Sequence, residues 1–404
     1  MVWYASFAGW GAVLTDISSA FLNAWLPEDA YYTVEPAPES GLGKESVWRL
    51  RKALYGLRGA PRYWQEQLVS FVVALGFTRL LTDSAVFVLP GVMIVLVHVD
   101  DLLMIGLKAS REWLLEKLKN EFALKHIFWL DKPGDEAVFV GKQVVKTKGG
   151  FTVAIPPAYV EKMAKVADLE GAKASWVPGT KETYRPLTPD ANEYVGEASH
   201  SLYRTLVGTL LWLSFERPDI QFSVKRLSQS LQQPLQGDWL AMKKVVRYLL
   251  DTSAASLRYE AVQANKFDLD IWTDSDWAGC PRTRRSTSGG GVWIQDCLLA
   301  SWSRCQHSVS TSSAEAELYG ASSVVFDGRL IKYFLEWLGY KVVYSLWVDS
   351  SSAKSIIQRD GVGKLKHIDV RALWLQAERE KHQLIVRKLA GERNPSDLGT
   401  KVHG

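Results

Sequence analysis

The sequence has few cysteines and lacks a long uninterrupted apolar run. Its three cysteines, Cys280, Cys297 and Cys305, are odd in number and lack the spacing of a metal site. They indicate a reducing compartment and exclude a disulfide framework or a zinc module. The most apolar stretch, 86–107, is interrupted by proline, glycine and two aspartates, so it does not predict a membrane span. Because the N-terminus carries no positively charged leader, we expect a soluble protein that is not secreted.

The sequence also has only a small net charge. The chain has 48 Lys and Arg against 44 Asp and Glu, a net charge of +4, which does not by itself identify a nucleic-acid partner. The basic residues are nevertheless concentrated in two stretches, 44–62 and 225–247. Such clusters suit phosphate contacts, although solvated helix faces would have the same composition.

Length and periodicity predict several domains of mixed architecture. With 404 residues, of which 47% are hydrophobic, the chain should divide into two or three domains. Helical spacing is present in 61–75 and in three patterns between 202 and 250, and 93–105 is typical of a tight β-hairpin. From 267 onward, three strands, a long helix and alternating strands and helices predict a mixed α/β domain. The polar stretch 177–199 is the best linker candidate.

Acidic residues interrupt the apolar hairpin at its turn. Asp100 and Asp101 are adjacent there, and burying two unpaired carboxylates would cost several kcal/mol unless cations or solvent offset the charge. Two solvated turn aspartates are one interpretation, since aspartate is common in turns. A site for Mg²⁺, which prefers carboxylate oxygens, is the other. A third acid, Asp16, follows a short apolar run and by itself is compatible with a helix N-cap.

A second set of acids lies in the C-terminal region. Asp274 and Asp349 each come at the end of a predicted strand, and an acidic helix start lies between them. Ser312 and Glu315 have the spacing of a capping box, which gives Glu315 a structural role. Residues two apart on a helix point in different directions, so Glu317 is the better candidate for a metal site. Asp397, taken alone, is most simply a helix-start residue.

A series of short motifs in chain order resembles the reverse transcriptase and ribonuclease H region of copia-type LTR-retrotransposon Pol polyproteins. The resemblance covers almost the whole chain, and several motifs extend over eight or more residues. They are Asp16 followed five positions later by Phe21, LYGLRGAPRYW at 54–64, HVDD at 98–101, YRTLVGTLL at 203–211, RPDI at 217–220, STSG at 286–289, SAEAE at 313–317, KHIDVR at 366–371 and SDLGTK at 396–401.

The resemblance implies a polymerase palm with an antiparallel sheet and helices in the N-terminal part. Asp16, Asp100 and Asp101 would hold two Mg²⁺ ions (or Mn²⁺) for in-line phosphoryl transfer from dNTPs onto a DNA primer paired with an RNA template. Phe21 would lie under the incoming sugar, with a core aromatic as the alternative. Arg58 and Arg62 would contact nucleic-acid phosphates, with ion pairs inside the domain as the equal alternative.

The resemblance also implies a helical connection region and an RNase H-like mixed α/β domain, and hence an α/β (α+β) fold overall. The expected division is 1–176 for the reverse transcriptase part, 177–264 for the linker and connection, and 265–404 for the RNase H-like domain. Asp274, Glu317, Asp349 and Asp397 would be the metal ligands for two-metal hydrolysis of RNA in an RNA–DNA hybrid. His367 would assist product release or serve a structural role.

Two departures from the family pattern shape the expected activity. The chain begins fifteen residues before Asp16, so we expect a basic fingers segment to be absent and polymerase activity to be impaired. His98 stands where the family has tyrosine. The alternative is a non-catalytic relic or adopted protein that binds nucleic acid. The expected location is the cytoplasm, in virus-like particles, and the nucleus; the sequence leaves the oligomeric state open.

Overall fold

The computed structural model describes residues 1–43, 45–184, 193–261, 266–361 and 370–402, and the side chains of 370–373 are outside this description. The chain forms two compact units. The first comprises Met1–Phe151 with Tyr259–Ala261, and the second comprises Thr152–Arg258 with Val262–Gly404. Both contain helices and sheets, which confirms the predicted α/β class. The predicted three-domain boundaries at 176 and 264 stay a prediction.

The first unit is built on an antiparallel sheet with helices. Six strands hydrogen bond in the order β4-β5-β6-β7-β1-β8. The elements are α1 (Val2–Phe7), β1 (Gly11–Ile17), α2 (Ala20–Asn23), β2 (Thr33–Val34), β3 (Trp48–Arg49), α3 (Ala60–Ala74), β4 (Thr78–Arg79), β5 (Val86–Leu89), β6 (Met93–His98), β7 (Asp101–Gly106), α4 (Lys108–Glu121), β8 (Leu124–Leu130), β9 (Glu136–Phe139) and β10 (Lys142–Lys146).

Helix α3 follows directly from the sequence pattern. Pro61 occupies the first turn, where its missing N–H has no consequence for the helix. Trp64, Leu68 and Val72 recur every four residues and are each at most 2% exposed. They pack in the core of the first unit with residues of the central strands such as Val13. The predicted helix is confirmed.

The buried side chain of Arg111 connects helix α4 to the sheet. Arg111 is 1% exposed, and its guanidinium donates to the carbonyl oxygens of Gly106 at 3.0 Å and Ala12 at 2.9 Å. The remaining nitrogen pairs with Asp131 at 2.6 Å. Each of the three guanidinium nitrogens therefore has a partner, as a buried charge requires. The contact joins β7 and β1, the two strands that carry the acids of the first unit.

One predicted strand is wrong. The turns expected at 132–134 and 148–150 predict one continuous strand over 137–145, but the segment forms two antiparallel strands, β9 and β10. The turn consists of Val140 and Gly141, both with positive φ, at 48° and 74°. A β-branched residue rarely adopts this conformation, so Val140 does not indicate a turn, and Gly141 is the one residue of the segment that does.

The second unit combines a helical cluster with a mixed sheet. Strands β11 (Gly150–Ala154) and β12 (Ser256–Glu260) contain the points where the chain passes between units. The other elements are α5 (Pro157–Val166), α6 (Glu197–Leu213), α7 (Gln221–Ser228), α8 (Gln236–Asp251), β13 (Lys266–Ser275), β14 (Thr287–Ile294), β15 (Cys297–Cys305), α9 (Ser313–Trp337), β16 (Lys341–Val348), α10 (Ser351–Gln358), α11 (Val370–His382) and β17 (Ile385–Lys388).

The mixed sheet has the strand order β15-β14-β13-β16-β17. The first three strands are antiparallel, whereas β13, β16 and β17 run parallel. The long helix α9 packs on β13, β14 and β16. Helices α5 to α8 form a separate apolar cluster around Tyr203, Leu210 and Met242, each fully buried. No helix in the described part of the chain is long and apolar enough to cross a membrane.

Candidate functional site

Two acids of the second unit meet because their strands are parallel. Trp272 on β13 lies opposite Trp347 on β16 in the register. Asp274 and Asp349 each follow two residues later, so both lie at the same end of the sheet. Asp274 is 4% exposed and Asp349 is partly exposed. The sequence alone predicted this arrangement from an aspartate at the end of each strand.

The third acid comes from the start of helix α9. The Ser312 side chain caps the helix by accepting from the Glu315 N–H at 3.2 Å. The Glu315 carboxylate in turn accepts from the Thr311 N–H at 2.7 Å and from its hydroxyl at 2.8 Å. Glu317 points elsewhere, toward Asp274 and Asp349, and one carboxylate oxygen of each of these three residues lies within 4.8 Å of the others.

The acidic cluster, defined as Asp274, Glu317 and Asp349, is buried and incompletely satisfied. The Ser275 N–H donates to Glu317 Oε1 at 3.3 Å, but Glu317 Oε2 is buried without a hydrogen-bond partner among the described residues. The Thr400 hydroxyl donates to Asp274 Oδ2. Glu317 Oε2 has no partner in the described part of the chain and faces two more carboxylates. A cation that prefers oxygen ligands, such as Mg²⁺, would compensate the negative charge there. Of the residues that the structure describes, no other set of three converges in this way.

Burial and mutual repulsion shift the titration of the cluster. Desolvation, followed by the charges of Asp274 and Asp349, raises the pKa of Glu317 to about 9. Desolvation also raises the pKa of Asp274 to about 6; the hydrogen bond from Thr400 opposes this rise, and Asp397 adds to it. In the metal-free protein the carboxylates therefore resist full ionisation. Perturbed carboxylates grouped in this way are common at functional sites.

Asp397 lies beside the acidic cluster but is not one of its convergent members. It belongs to a short 3₁₀ helix, Pro395–Gly399, and its carboxylate pairs with Lys401 at 2.9 Å. Burial alone would lower the pKa of Lys401, but the hydrogen bond to Asp397 and the charges of Asp274 and Asp349 raise it. The structure thus places the positively charged Lys401 side chain at the edge of the acidic cluster. The assignment of Asp397 as a ligand stays a prediction, as do those of the other three acids.

A glycine allows helix α9 to approach the sheet closely. A Cβ atom at Gly320 would lie 2.7 Å from Ser275 Oγ and 2.8 Å from Thr273 Oγ1. Gly320 is one helical turn beyond Glu317, so this close approach determines how near Glu317 comes to Asp274. Gln306 fixes the same region because its amide donates to Ser288 Oγ and to the Ala316 carbonyl oxygen, both at 2.8 Å.

The acids of the first unit lie at one end of its sheet. Strands β6 and β7 form the predicted hairpin, in which His98 pairs with Asp101, while Asp101 also lies opposite Asp16 on β1. Asp16 is therefore a strand residue and not a helix cap. Burial raises the pKa of Asp101, and the charges of Asp100 and Asp16 add to the effect. Asp16, Asp100 and Asp101 are near neighbours, yet their oxygens do not converge as those of the acidic cluster do.

The turn that carries Asp100 is held by an aromatic side chain. Val99 has a φ of 58°, which is unfavourable for a β-branched residue. Its carbonyl oxygen accepts from the Trp64 indole N–H at 2.7 Å, and Trp64 is 1% exposed. The motif at 54–64 is thereby connected to the turn at 99–100. The sequence did not predict this contact, since nothing in the local pattern relates the two segments.

The remaining predicted residues of the first unit lie at or near its surface. Phe21 is partly buried against the core and contacts the Tyr55 ring, with centroids 5.1 Å apart. Arg58 is exposed, and so is Arg62, which pairs with Glu66 at 2.7 Å. For Arg62 the structure thus contains the intradomain ion pair that the sequence left open as an alternative. The roles of all three residues in binding stay predictions.

Sequence reasoning missed a buried lysine. Lys225 belongs to the second basic stretch but is 7% exposed, and its ammonium group donates to Thr287 Oγ1 on β14 at 2.7 Å. Burial, with a contribution from Arg226, lowers the pKa of Lys225 to about 8. On the same helix, the Gln221 amide donates to the Ser301 carbonyl oxygen on β15 at 2.9 Å. Helix α7 therefore packs on the sheet that carries the acids. The motif at 366–371 lies outside the described residues, apart from the start of α11, and His367 is not described at all.

Comparison with known proteins finds one matching family and several proteins of similar sequence. Residues 3–181 match the family described as reverse transcriptase (RNA-dependent DNA polymerase). A retrovirus-related Pol polyprotein from transposon TNT 1-94 of Nicotiana tabacum is 28% identical over 397 residues, 96% of this chain and 29% of that protein. An uncharacterized mitochondrial protein of Arabidopsis thaliana is 32% identical over 229 residues, 56% of this chain and 88% of that protein.

The chain matches only part of the length of some of these relatives. The chain spans less than a third of the length of the curated Pol polyproteins that it matches first, with 29% and 22% coverage. Among solved structures, the N-terminal RNase H domain of a Mycobacterium tuberculosis protein is 20% identical with a TM-score of 0.25, and it covers 32% of this chain and 86% of that one. So weak a structural likeness supports no conclusion.

Proposed function

Because the chain belongs to the copia-type retrotransposon Pol family, we propose that it acts on nucleic acid as an RNA-directed DNA polymerase and ribonuclease H. The observation that carries the proposal is the acidic cluster of the second unit. Its substrate would be an RNA–DNA hybrid. For the first unit, the substrates would be an RNA template, a DNA primer and dNTPs. The site of action would be a virus-like particle in the cytoplasm, with the nucleus as a second location.

The cluster suits a divalent cation in its chemistry. Asp274, Glu317 and Asp349 supply carboxylate oxygens, which Mg²⁺ and Mn²⁺ prefer. The unpartnered Glu317 Oε2 and the raised pKa of Glu317 indicate negative charge that the protein itself does not compensate. A divalent ion bound there activates water and stabilises charge on the phosphate that is attacked. We propose Asp397 as the fourth carboxylate of this two-metal site.

Other residues hold the acids in position. The Thr400 hydroxyl orients Asp274, and the Ser275 N–H orients Glu317. Lys401 pairs with Asp397 and keeps a positive charge at the edge of the cluster, where it lowers the repulsion that an incoming phosphate would meet. The side chains are therefore largely positioned before any substrate arrives, which reduces the reorganisation required for reaction.

The polymerase part of the proposal is supported by the position of Asp16, Asp100 and Asp101 at one end of the first sheet. These acids would hold the cations that neutralise the triphosphate. Phe21 would contact the nucleotide sugar, and Arg58 and Arg62 would contact phosphates. Because the oxygens of these acids do not converge in the described structure, we propose that this activity is weaker than RNA cleavage.

A two-colour assay tests both activities together. A labelled DNA primer annealed to an RNA with a different label is incubated with Mg²⁺ and dNTPs, and both strands are resolved. Wild-type protein is compared with Asp274→Asn and Asp101→Asn. Asp296→Asn is the matched control, because Asp296 is exposed in the turn between β14 and β15. We expect RNA cleavage in all samples except Asp274→Asn, and primer extension, where present, to be lost in Asp101→Asn.

The same assay can reject the proposal. If wild-type protein binds the hybrid but neither cleaves nor extends either strand, the chain is a non-catalytic nucleic-acid-binding protein derived from a retroelement. If RNA is cleaved equally by Asp274→Asn, the acidic cluster is not the site of the reaction. Binding is followed separately by fluorescence anisotropy, so that loss of chemistry is distinguished from loss of affinity.

A further inference from the structure

A large aromatic ring is presented to solvent next to the acidic cluster. Trp277 comes three residues after Asp274, and its side chain is 57% exposed. Its indole N–H donates to the Ser310 carbonyl oxygen at 3.2 Å. Ser310 is 4% exposed, and its hydroxyl donates to Gln306 at 2.8 Å within the buried network. The ring is therefore anchored at its polar edge while much of its apolar surface remains in water.

The loop that carries Trp277 is rigid. The Asp276 N–H donates to the Thr287 carbonyl oxygen at 3.0 Å, and the Asp276 carboxylate accepts from the Thr287 N–H. Ala278 has a φ of 54°, and its N–H donates to Ser286 Oγ at 3.1 Å. A Cβ atom at Gly279 would meet the Asp276 carboxylate at 2.2 Å, so only glycine allows this packing. An exposed tryptophan on a well-ordered loop differs from one on a mobile surface segment, because its position is fixed before a ligand arrives.

Positive charge follows the aromatic ring along the same loop. Arg282, Arg284 and Arg285 are exposed and lie within eight residues of Trp277. Arg282 is anchored through a hydrogen bond to the Gln229 carbonyl oxygen at 2.8 Å, while Arg284 adopts a φ of 55°. Exposed aromatic rings combined with arginines that contact phosphates are typical of nucleic-acid-binding surfaces.

We propose that residues 276–285, which we call the Trp277 loop, form a contact surface for the RNA–DNA hybrid. The Trp277 ring packs against a base or sugar of the hybrid, and Arg284 and Arg285 contact its phosphates. This inference rests on the proposed ribonuclease function, because it assigns a binding surface for the same substrate. An apolar ring flanked by guanidinium groups complements a duplex that exposes sugars and base edges in its grooves, and the arginines give the loop the charge that a polyanion requires.

Affinity measurements on the full chain test the assignment. The probe is a fluorescein-labelled RNA–DNA hybrid, titrated in EDTA so that cleavage does not occur. Trp277→Ala is expected to raise the Kd about 5- to 50-fold, since the apolar surface of the ring is removed from water when it packs against the hybrid. Trp277→Phe, which keeps an aromatic face, should retain most of the affinity. Trp337→Ala is the matched control, because Trp337 is 42% exposed at the C-terminal end of α9, the end away from Glu317, and it should leave the Kd unchanged.

The tryptophan and the arginines of the Trp277 loop should affect the salt dependence of binding differently. Arg284→Ala should reduce the slope of log Kd against log salt by about 1, the value for one lost phosphate contact, whereas Trp277→Ala should not change the slope. Melting temperatures of all variants are measured to show that they fold. An unchanged Kd for folded Trp277→Ala, or an equal loss for Trp337→Ala, overturns the proposal.

The outcome is distinguishable from failure of the proposed function. If wild-type protein binds the hybrid without cleaving it, the ribonuclease proposal fails, while the Kd values still decide whether Trp277 contacts the nucleic acid. If wild-type protein cleaves the hybrid but Trp277→Ala binds and cleaves equally well, only the assignment of the Trp277 loop fails. If wild-type protein does not bind the hybrid at all, both fail.

Discussion

Replacing Glu317 with glutamine should stabilise the metal-free protein. Glutamine has the same shape as glutamate, and its amide oxygen can accept the hydrogen bond from the Ser275 N–H. The substitution removes a buried carboxyl group that faces Asp274 and Asp349 and must stay protonated in the fold, whereas it ionises freely in the unfolded chain. A buried carboxylate without a compensating cation is destabilising, so its removal should increase the free energy of unfolding.

The size of the gain follows from the titration of Glu317. Its pKa is raised from 4.5 to about 9 by burial and by its two acidic neighbours. Because the folded state binds this proton more tightly than the unfolded state, unfolding releases it at a pH above 4.5, and the free energy of unfolding falls by about 1.4 kcal/mol per pH unit until the pH reaches the folded pKa. At pH 8 the upper bound is therefore about 5 kcal/mol. We expect an observed gain of about 2–4 kcal/mol, because neighbouring groups adjust to the charge.

Thermal melts in EDTA at pH 5 and pH 8 measure the effect. For a unit of this size, the gain corresponds to a Tm increase of about 4–12 °C at pH 8 and to little change at pH 5. Mg²⁺ should raise the Tm of the wild-type protein and have less effect on Glu317→Gln, because ligand binding stabilises only a protein that retains its site. Glu315→Gln is the matched control; it weakens the hydrogen bonds from Thr311 and should lower the Tm. A Glu317→Gln protein no more stable than wild type at pH 8, or equally stabilised at pH 5, would refute the reasoning.

Three further substitutions test the packing around both sets of acids. Arg111→Ala should destabilise the first unit by about 3–5 kcal/mol in urea unfolding, because it leaves Asp131 and two carbonyl oxygens without their buried partner; a loss below 1 kcal/mol would contradict this. Trp64→Phe should lower primer extension more than RNA cleavage in the two-colour assay, since the Val99 carbonyl oxygen loses its donor; equal losses would indicate a general folding defect. Gly320→Ala should lower RNA cleavage at least tenfold by displacing helix α9, even though alanine favours helices by about 1 kcal/mol; unchanged cleavage would show that the close approach is unimportant.

Local patterns predicted the elements that carry the acids. The hairpin at Asp100 and Asp101 followed from two apolar runs separated by four residues. The capping box at Ser312 and Glu315 located the start of helix α9, and its geometry separated Glu317 from Glu315. Such features depend on residues close in the chain, so the sequence contains the necessary information.

Contacts between distant segments were not predicted. The bond from Trp64 to Val99 and the bond from Lys225 to Thr287 join residues 35 and 62 positions apart. A lysine in a basic stretch is normally solvated, and only the packing of α7 on the sheet buries this one. Asp397 was expected among the converging acids, but its pairing with Lys401 depends on the 3₁₀ helix that follows Asn394. Its role therefore stays a prediction.

The packing of helix α7 on the sheet limits how the chain can be divided for study. A fragment starting at 265 would contain the acidic cluster and Asp397, yet it would lack the Lys225 ammonium bound to Thr287 and the Gln221 amide bound to the Ser301 carbonyl oxygen. The side of β15 that α7 covers would be exposed to solvent and prone to aggregation. Thr287 also holds Asp276 in place beside the acidic cluster through a hydrogen bond. A recombinant fragment should therefore begin near Thr152, so that helices α5 to α8 are produced together with the sheet.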